Sequence, residues 1–142
     1  MLQGLLGVDF DVDDDEGELH AHTNDGESYA SVYWGSKKDV LARLRDVGGG
    51  EDDIFVEAKR AFAAAPRGKV AYFSGIELAP SARKQRAGTQ LVQRLLSMLR
   101  ERGVKLIVLH ADRSAAFWHQ QGFSDCGVET EQWFMPVMCQ NL

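Results

Sequence analysis

Leu78-Ala79-Pro80-Ser81-Ala82-Arg83-Lys84-Gln85-Arg86-Ala87-Gly88-Thr89 is the stretch on which the fold turns. Before it, residues 69–78 (Lys-Val-Ala-Tyr-Phe-Ser-Gly-Ile-Glu-Leu) have the β-branched and aromatic content of a strand, and Gly75 inside that strand marks a bulge. After it, Leu91, Val92, Leu95, Leu96, Met98 and Leu99 recur at helical spacing, and the pattern stops at Gly103. A strand therefore runs through a short basic loop into the start of a helix. Residues 104–109 are apolar apart from Lys105, as expected of a strand covered on both faces. Asp112 is placed to cap a helix closed by Gly122, and residues 130–139 read as a last strand. From residue 69 onward the order is strand, helix, strand, helix, strand, an α/β pattern.

Upstream, residues 18–23 and 28–34 read as a hairpin around Asn24-Asp25-Gly26, whose Asp-Gly pair supplies the positive φ that tight turns need. Helices follow over residues 36–46 and 51–65, separated by Gly48-Gly49-Gly50, and the second stops at Pro66. At 142 residues the chain is the size of one domain. Its 44% apolar and 26% charged content is ordinary for a globular protein. No apolar run approaches the ~20 residues that span a bilayer, and the acidic N-terminus lacks the basic opening of a signal peptide. Two cysteines, Cys126 and Cys139, form neither a disulfide framework nor a paired zinc spacing. A reducing, cytoplasmic setting without a membrane is the expectation.

The net charge of -5 hides an asymmetry. Residues 1–36 contain no Lys or Arg but nine acids, whereas residues 81–113 are rich in Arg and Lys. That polarity suits an anionic ligand on one side and a cationic one on the other; a solvated acidic lobe beside an ordinary basic helix would look the same. The basic side centres on the loop. The first turn of a helix leaves backbone N–H groups unpaired and carries partial positive charge, so it suits phosphate. Gly88 and the small Ala87 permit close approach of a pyrophosphate, Thr89 follows them, and Arg83, Lys84 and Arg86 add charge at the same mouth.

Two features sharpen this signal. One is the spacing Arg83-x-x-x-x-Gly88-Thr-Gln-Leu91, preceded by Leu78-Ala-Pro80. The other is Ser114-Ala-Ala-Phe117-Trp118-His-Gln-Gln-Gly122-Phe123, about thirty residues downstream. Together they resemble the GNAT superfamily of acetyl-CoA-dependent N-acetyltransferases over residues 69–123. The resemblance implies a mixed, mostly antiparallel sheet flanked by helices, in one acyl-CoA N-acyltransferase domain over residues 1–142. Residues 67–142 would be its acetyl-CoA-binding half and residues 1–66 its acceptor-side half. It also implies that loop N–H groups hold the pyrophosphate and that the preceding strand pairs with the pantetheine arm. The backbone of Leu78 would face the acyl carbonyl, and Ser114 and Phe117 would lie along the coenzyme. Acetyl-CoA is then the co-substrate, with no metal.

Several residues depart from the family's pattern. Arg86 stands where its first glycine belongs. Trp118 stands where a tyrosine often protonates the departing thiolate, a task that an indole N–H cannot perform; as a bland alternative it is a core aromatic. The family's base often lies on the preceding strand, eleven or nine residues ahead of the loop motif, which here gives Tyr72 and Ser74. Glu77 is the only acid on that strand, one step off this parity unless the bulge re-aims it. Glu77 and Tyr72 are therefore the catalytic candidates. His110, at a strand end, is next in line or is simply hydrogen-bonded. His20 and His22 alternate on one hairpin face but lack a third metal ligand at suitable spacing. Cys126 and Cys139 read as small core residues. The N-terminal half is atypical, with its hairpin before rather than after the two helices.

The function expected is transfer of acetyl from acetyl-CoA to a primary amine by direct attack. The alternative is a catalytically weak or inactive CoA-binding or interaction module on the same fold. The acidic N-terminal third favours a cationic acceptor, a small molecule or a peptide amine, while the net acidity argues against a nucleic-acid partner. A homodimer stays open at the level of sequence.

Overall fold

The computed structural model describes residues 10–15, 17–23, 28–48, 53–65, 67–77, 87–131 and 135–142. In chain order the elements are β1 (Phe10–Asp15), β2 (Glu18–Thr23), β3 (Tyr29–Gly35), α1 (Lys37–Gly48), α2 (Asp53–Ala63), β4 (Lys69–Glu77), α3 (Ala87–Glu101), β5 (Val104–His110), α4 (Ala115–Gln120), β6 (Ser124–Asp125) and β7 (Val137–Asn141). The strands form one sheet in the order β1-β2-β3-β4-β5-β7-β6. The β4–β5 pair is parallel and the other pairs are antiparallel. The hairpin does precede the two helices, and the mixed sheet flanked by helices matches the sequence expectation.

Strand alternation sorts the side chains into two apolar layers. Ala71 and Phe73 of β4 and Ile107 and Leu109 of β5 face one layer, with Leu91, Val92, Leu95, Leu96 and Leu99 of α3 and Trp118 of α4. Val70 and Tyr72 of β4 and Leu106 and Val108 of β5 face the other, against Val40 and Leu44 of α1 and Phe55, Ala58 and Phe62 of α2. Helices on both faces explain why β5 is apolar and buried from Leu106 to Leu109. Each buried Leu of α3 contributes about 1.5–3 kcal/mol relative to exposure, so α3 is held chiefly by this stripe.

Three expectations needed correction. β1 escaped sequence reading because Asp, depleted in strands, fills four of its six positions. As the edge strand it exposes its charges, which blunts further pairing, and Arg102 at the end of α3 holds it by donating to Asp14 Oδ2 at 2.9 Å. Asp112 is not the cap of α4: Ser114 is, without a side-chain capping bond. Arg113 at φ 56 stands between them, and a left-handed residue cannot continue a helix. The last strand starts at Val137 rather than residue 130, directly after Pro136, which lacks a ladder N–H. The Asn24-Asp25-Gly26 turn lies outside the described residues.

Two irregularities shape the sheet's centre. Ser31 of β3 opposes Gly75 and Val32 opposes Phe73, so Ser74 is an extra residue in β4. Its Oγ donates to the Ser31 carbonyl at 2.9 Å. This bulge brings Phe73 and Ile76, three apart, onto the same side of the sheet. The second irregularity is a fork. The β4–β5 rungs run from Lys69↔Val104 to Tyr72↔Val108. Beyond them β4 stays paired to β3 as far as Glu77, while β5 pairs with β7 through Leu109 and His110.

Candidate active site

Three ionisable side chains meet at the vertex of the fork, on the α1/α2 side. Tyr72, on the last shared rung of β4, places its hydroxyl 2.7 Å from Nδ1 of His110, the last residue of β5. His110 Nε2 lies 3.1 Å from Glu57 Oε1, and Glu57 Oε2 accepts the backbone N–H of Glu131 at 2.9 Å. The His110 and Glu57 side chains are only 4% and 6% exposed. An acid in such surroundings needs partners for both oxygens, and both have them. The chain of contacts thus joins β4, β5 and α2 across the mouth of the fork.

On the other face, α3 begins at Ala87 with Gly88 buried and no acid in its first turn to oppose the positive end of its dipole. Thr89 Oγ1 accepts from Gln121 Nε2 at 3.1 Å, which ties the start of α3 to the end of α4. Ser114 Oγ accepts from Trp118 Nε1 at 3.1 Å. Trp118 is buried, with Phe73, Phe117 and Phe123 packed edge-on at 5.1, 5.0 and 5.3 Å between ring centres. Beyond the vertex, the edge of β4 that faces β5 has no strand partner among the described residues. Such an edge is a row of backbone donors and acceptors ready for an extended ligand.

The model of the acetyltransferase (GNAT) family matches residues 12–123. The chain belongs to this family. No curated protein matches it. Among solved structures, arylalkylamine N-acetyltransferase 2 from Aedes aegypti superposes with a TM-score of 0.61 at 14% identity, covering 89% of this chain and 74% of that one. The mosquito arylalkylamine N-acetyltransferase like 5b gives 0.62 at 12% identity, and the Drosophila melanogaster polyamine N-acetyltransferase 0.56 at 13%, each with the same coverage. At such identities the likeness speaks for the fold.

Within this GNAT frame the sequence candidates fall into separate groups. Thr89, Ser114 and Trp118 gather around α3 and α4, whereas Leu78, Arg83, Lys84 and Arg86 lie outside the described residues. Glu77 is exposed at the end of β4, opposite Tyr29. Tyr72 stands opposite Tyr33, so the bulge has indeed re-aimed Glu77 to the Tyr72 side. The two are separated by four rungs of β3, about 13 Å at the usual strand rise, and do not form one cluster. His20 sits 3.0 Å from Glu18 and His22 3.9 Å from Asp13. No group of three His, Cys, Asp or Glu suited to a metal occurs among the described residues. There, too, no helix is long and apolar enough to cross a membrane. Cys126 and Cys139 are free thiols. Burial and the neighbouring Cys139 push the Cys126 thiol up to about 12, and burial also raises that of Cys139.

Sequence reading missed Glu57. Its signal was present: it lies between Phe55 and Ala58 in the buried stripe of α2, where an acid is out of phase with its polar neighbours.

Proposed function

We propose that this protein is an acetyl-CoA-dependent N-acetyltransferase whose single domain moves an acetyl group to a primary amine by direct attack. The fork in the sheet carries this reading. Beyond it the edge of β4 that faces β5 has no strand partner among the described residues, so one extended thioester would pair along the strand and end its pyrophosphate at the start of α3. Backbone N–H groups of Ala87, Gly88 and Thr89 would hold that pyrophosphate, with charge from Arg83, Lys84 and Arg86. The acyl carbonyl would lie at the vertex, where backbone N–H groups of β4 would polarise it as the tetrahedral centre develops. The Leu78 backbone, expected from the sequence to face that carbonyl, would instead pair farther along the coenzyme arm. Ser114 and Phe117 would border the coenzyme from the α4 side. Tyr72 and Glu77 are the side chains of β4 offered to the acceptor half, Glu77 at the entrance and Tyr72 at the vertex.

Similar solved structures include enzymes described as arylalkylamine and polyamine N-acetyltransferases. With the acidic β1 and β2 region here, this supports a small cationic amine as acceptor. Free cysteines suit a reducing, cytoplasmic setting. A coenzyme A-binding module without turnover is the second reading, favoured by Trp118 in place of a proton-donating tyrosine.

Acetyl-CoA titrated against thermal unfolding, followed by thiol release with a panel of amines, tests both. At a hundred times Kd, binding stabilises by about 2.7 kcal/mol. Binding with amine-dependent thiol release is the expected result. Binding without release selects the module, and absence of binding removes both readings.

A further inference from the structure

We infer that Glu57, His110 and Tyr72 form a directed proton relay in which Tyr72 takes the proton of the attacking amine; the inference rests on the acetyl-transfer reading above.

The direction follows from the hydrogen bonds. Glu57 Oε2 already accepts a backbone N–H, from Glu131. A carboxylate accepting on Oε1 as well leaves His110 Nε2 as donor, which puts the neutral imidazole's lone pair on Nδ1. Nδ1 then accepts the Tyr72 hydroxyl, 2.7 Å away. The phenol is primed by an imidazole whose far nitrogen is held by a buried acid, an arrangement with the logic of a hydrolase triad. Position adds to chemistry. Tyr72 ends the shared rungs of β4 and His110 ends β5, so their bond spans the opening where the strands part. The face is that of α1 and α2, opposite the one that carries α3 and its phosphate-suited start. Two substrates arriving from opposite faces would meet at this vertex.

The step balances. The amine nitrogen's lone pair forms the N–C bond, the C–S bond breaks, and sulfur leaves with its electron pair as thiolate. The amine's proton passes to the Tyr72 oxygen as the tyrosine's own proton moves to Nδ1. The imidazolium is stabilised by Glu57 and then returns its proton to the thiolate or to solvent. Tyr72 is the residue that touches substrate, and Glu57 is a positioning residue. The ionisable groups packed into or against the same layer include Tyr33 from β3 with the Arg43 guanidinium over its ring, Arg45 of α1 over the Phe55 ring, and the thiols of Cys126, just after β6, and Cys139 of β7. Among the described residues, Glu57 is the carboxylate that pairs with His110.

Two measurements test the relay, and the first needs no turnover. In the 15N NMR spectrum of the wild-type protein, His110 should show the Nε2–H tautomer, shifting to a mixture in Glu57→Gln. An Nδ1–H tautomer in the wild type would overturn the relay. The second is the pH profile of kcat/KM. Tyr72→Phe should lower kcat 10²–10⁴-fold, the range for a lost acid–base group, with acetyl-CoA affinity unchanged within about threefold. Glu57→Gln should move the acid limb of the profile downward in pH. If wild-type turnover is normal and Tyr72→Phe keeps kcat within threefold, the relay fails while acetyl transfer stands. If the wild type neither binds acetyl-CoA nor releases thiol, both fall. Should Glu57→Gln not fold, the Tyr72→Phe profile and the wild-type tautomer still decide.

Discussion

Replacing Trp118 by Phe separates a structural tryptophan from a chemical one. The side chain is 4% exposed, packs edge-on against three phenyl rings and donates from Nε1 to Ser114 Oγ. Phenylalanine keeps a ring in the site but leaves a void of roughly 40 Å³, which costs about 1 kcal/mol at ~24 cal/mol per Å³. The lost hydrogen bond adds about 0.5–1.5 kcal/mol, towards the low end because half-buried Ser114 can turn to water. The sum is about 2 kcal/mol. For a chain of this size that corresponds to a fall in Tm of roughly 6–8 °C. Urea unfolding at 25 °C measures the energy, and thiol release at a temperature where the variant is fully folded measures the chemistry. Trp118→Phe should lose the stability and keep kcat within about twofold. A fully folded variant whose kcat drops tenfold or more would refute the assignment of Trp118 to the core and return it to the reaction.

Cys126 should react slowly with iodoacetamide. With its thiol moved from 9.0 to about 12, thiolate at pH 8 is about 1,000-fold scarcer than for an ordinary cysteine. Alkylation of the native protein at the rate of a free thiol would contradict this. The folded thiol holds its proton more tightly than the unfolded one. Its contribution to stability is therefore complete below pH 9.0 and declines as pH rises towards 12. Gly122→Ala should cost about 1–3 kcal/mol in urea unfolding, because φ there is +97°. A new Cβ would also fall 2.6 Å from Gln140 Nε2, which donates to the Gln121 carbonyl at 2.8 Å. A loss below about 0.5 kcal/mol would show that Gln140 and the turn yield freely.

Legibility in the sequence followed the physics of each signal. The β4–α3–β5 unit was plain because its stripes are long and periodic, and the downstream Phe117-Trp118 motif placed α4 even though the cap was assigned two residues early. β1 was hidden by its aspartates, since an edge strand can be held by neighbours without strand-forming side chains. Of the site, Tyr72 and His110 were visible as separate possibilities. Their contact depends on where two parallel strands part, which no local pattern encodes. Glu57 needed the phase of α2 against the sheet, a relation between elements rather than within one.

The bulge at Ser74 has a genetic consequence. Past that residue, the face of each side chain in β4 is set by its partner in β3 rather than by its distance in sequence from Phe73. An exposed serine there can be exchanged with little effect on the residues beyond it. Losing it altogether would restore strict alternation and still leave Ile76 opposite Ala30 and Glu77 opposite Tyr29, so both side chains would keep the faces they have now. At this position the strand tolerates the loss of one residue as well as changes of letter.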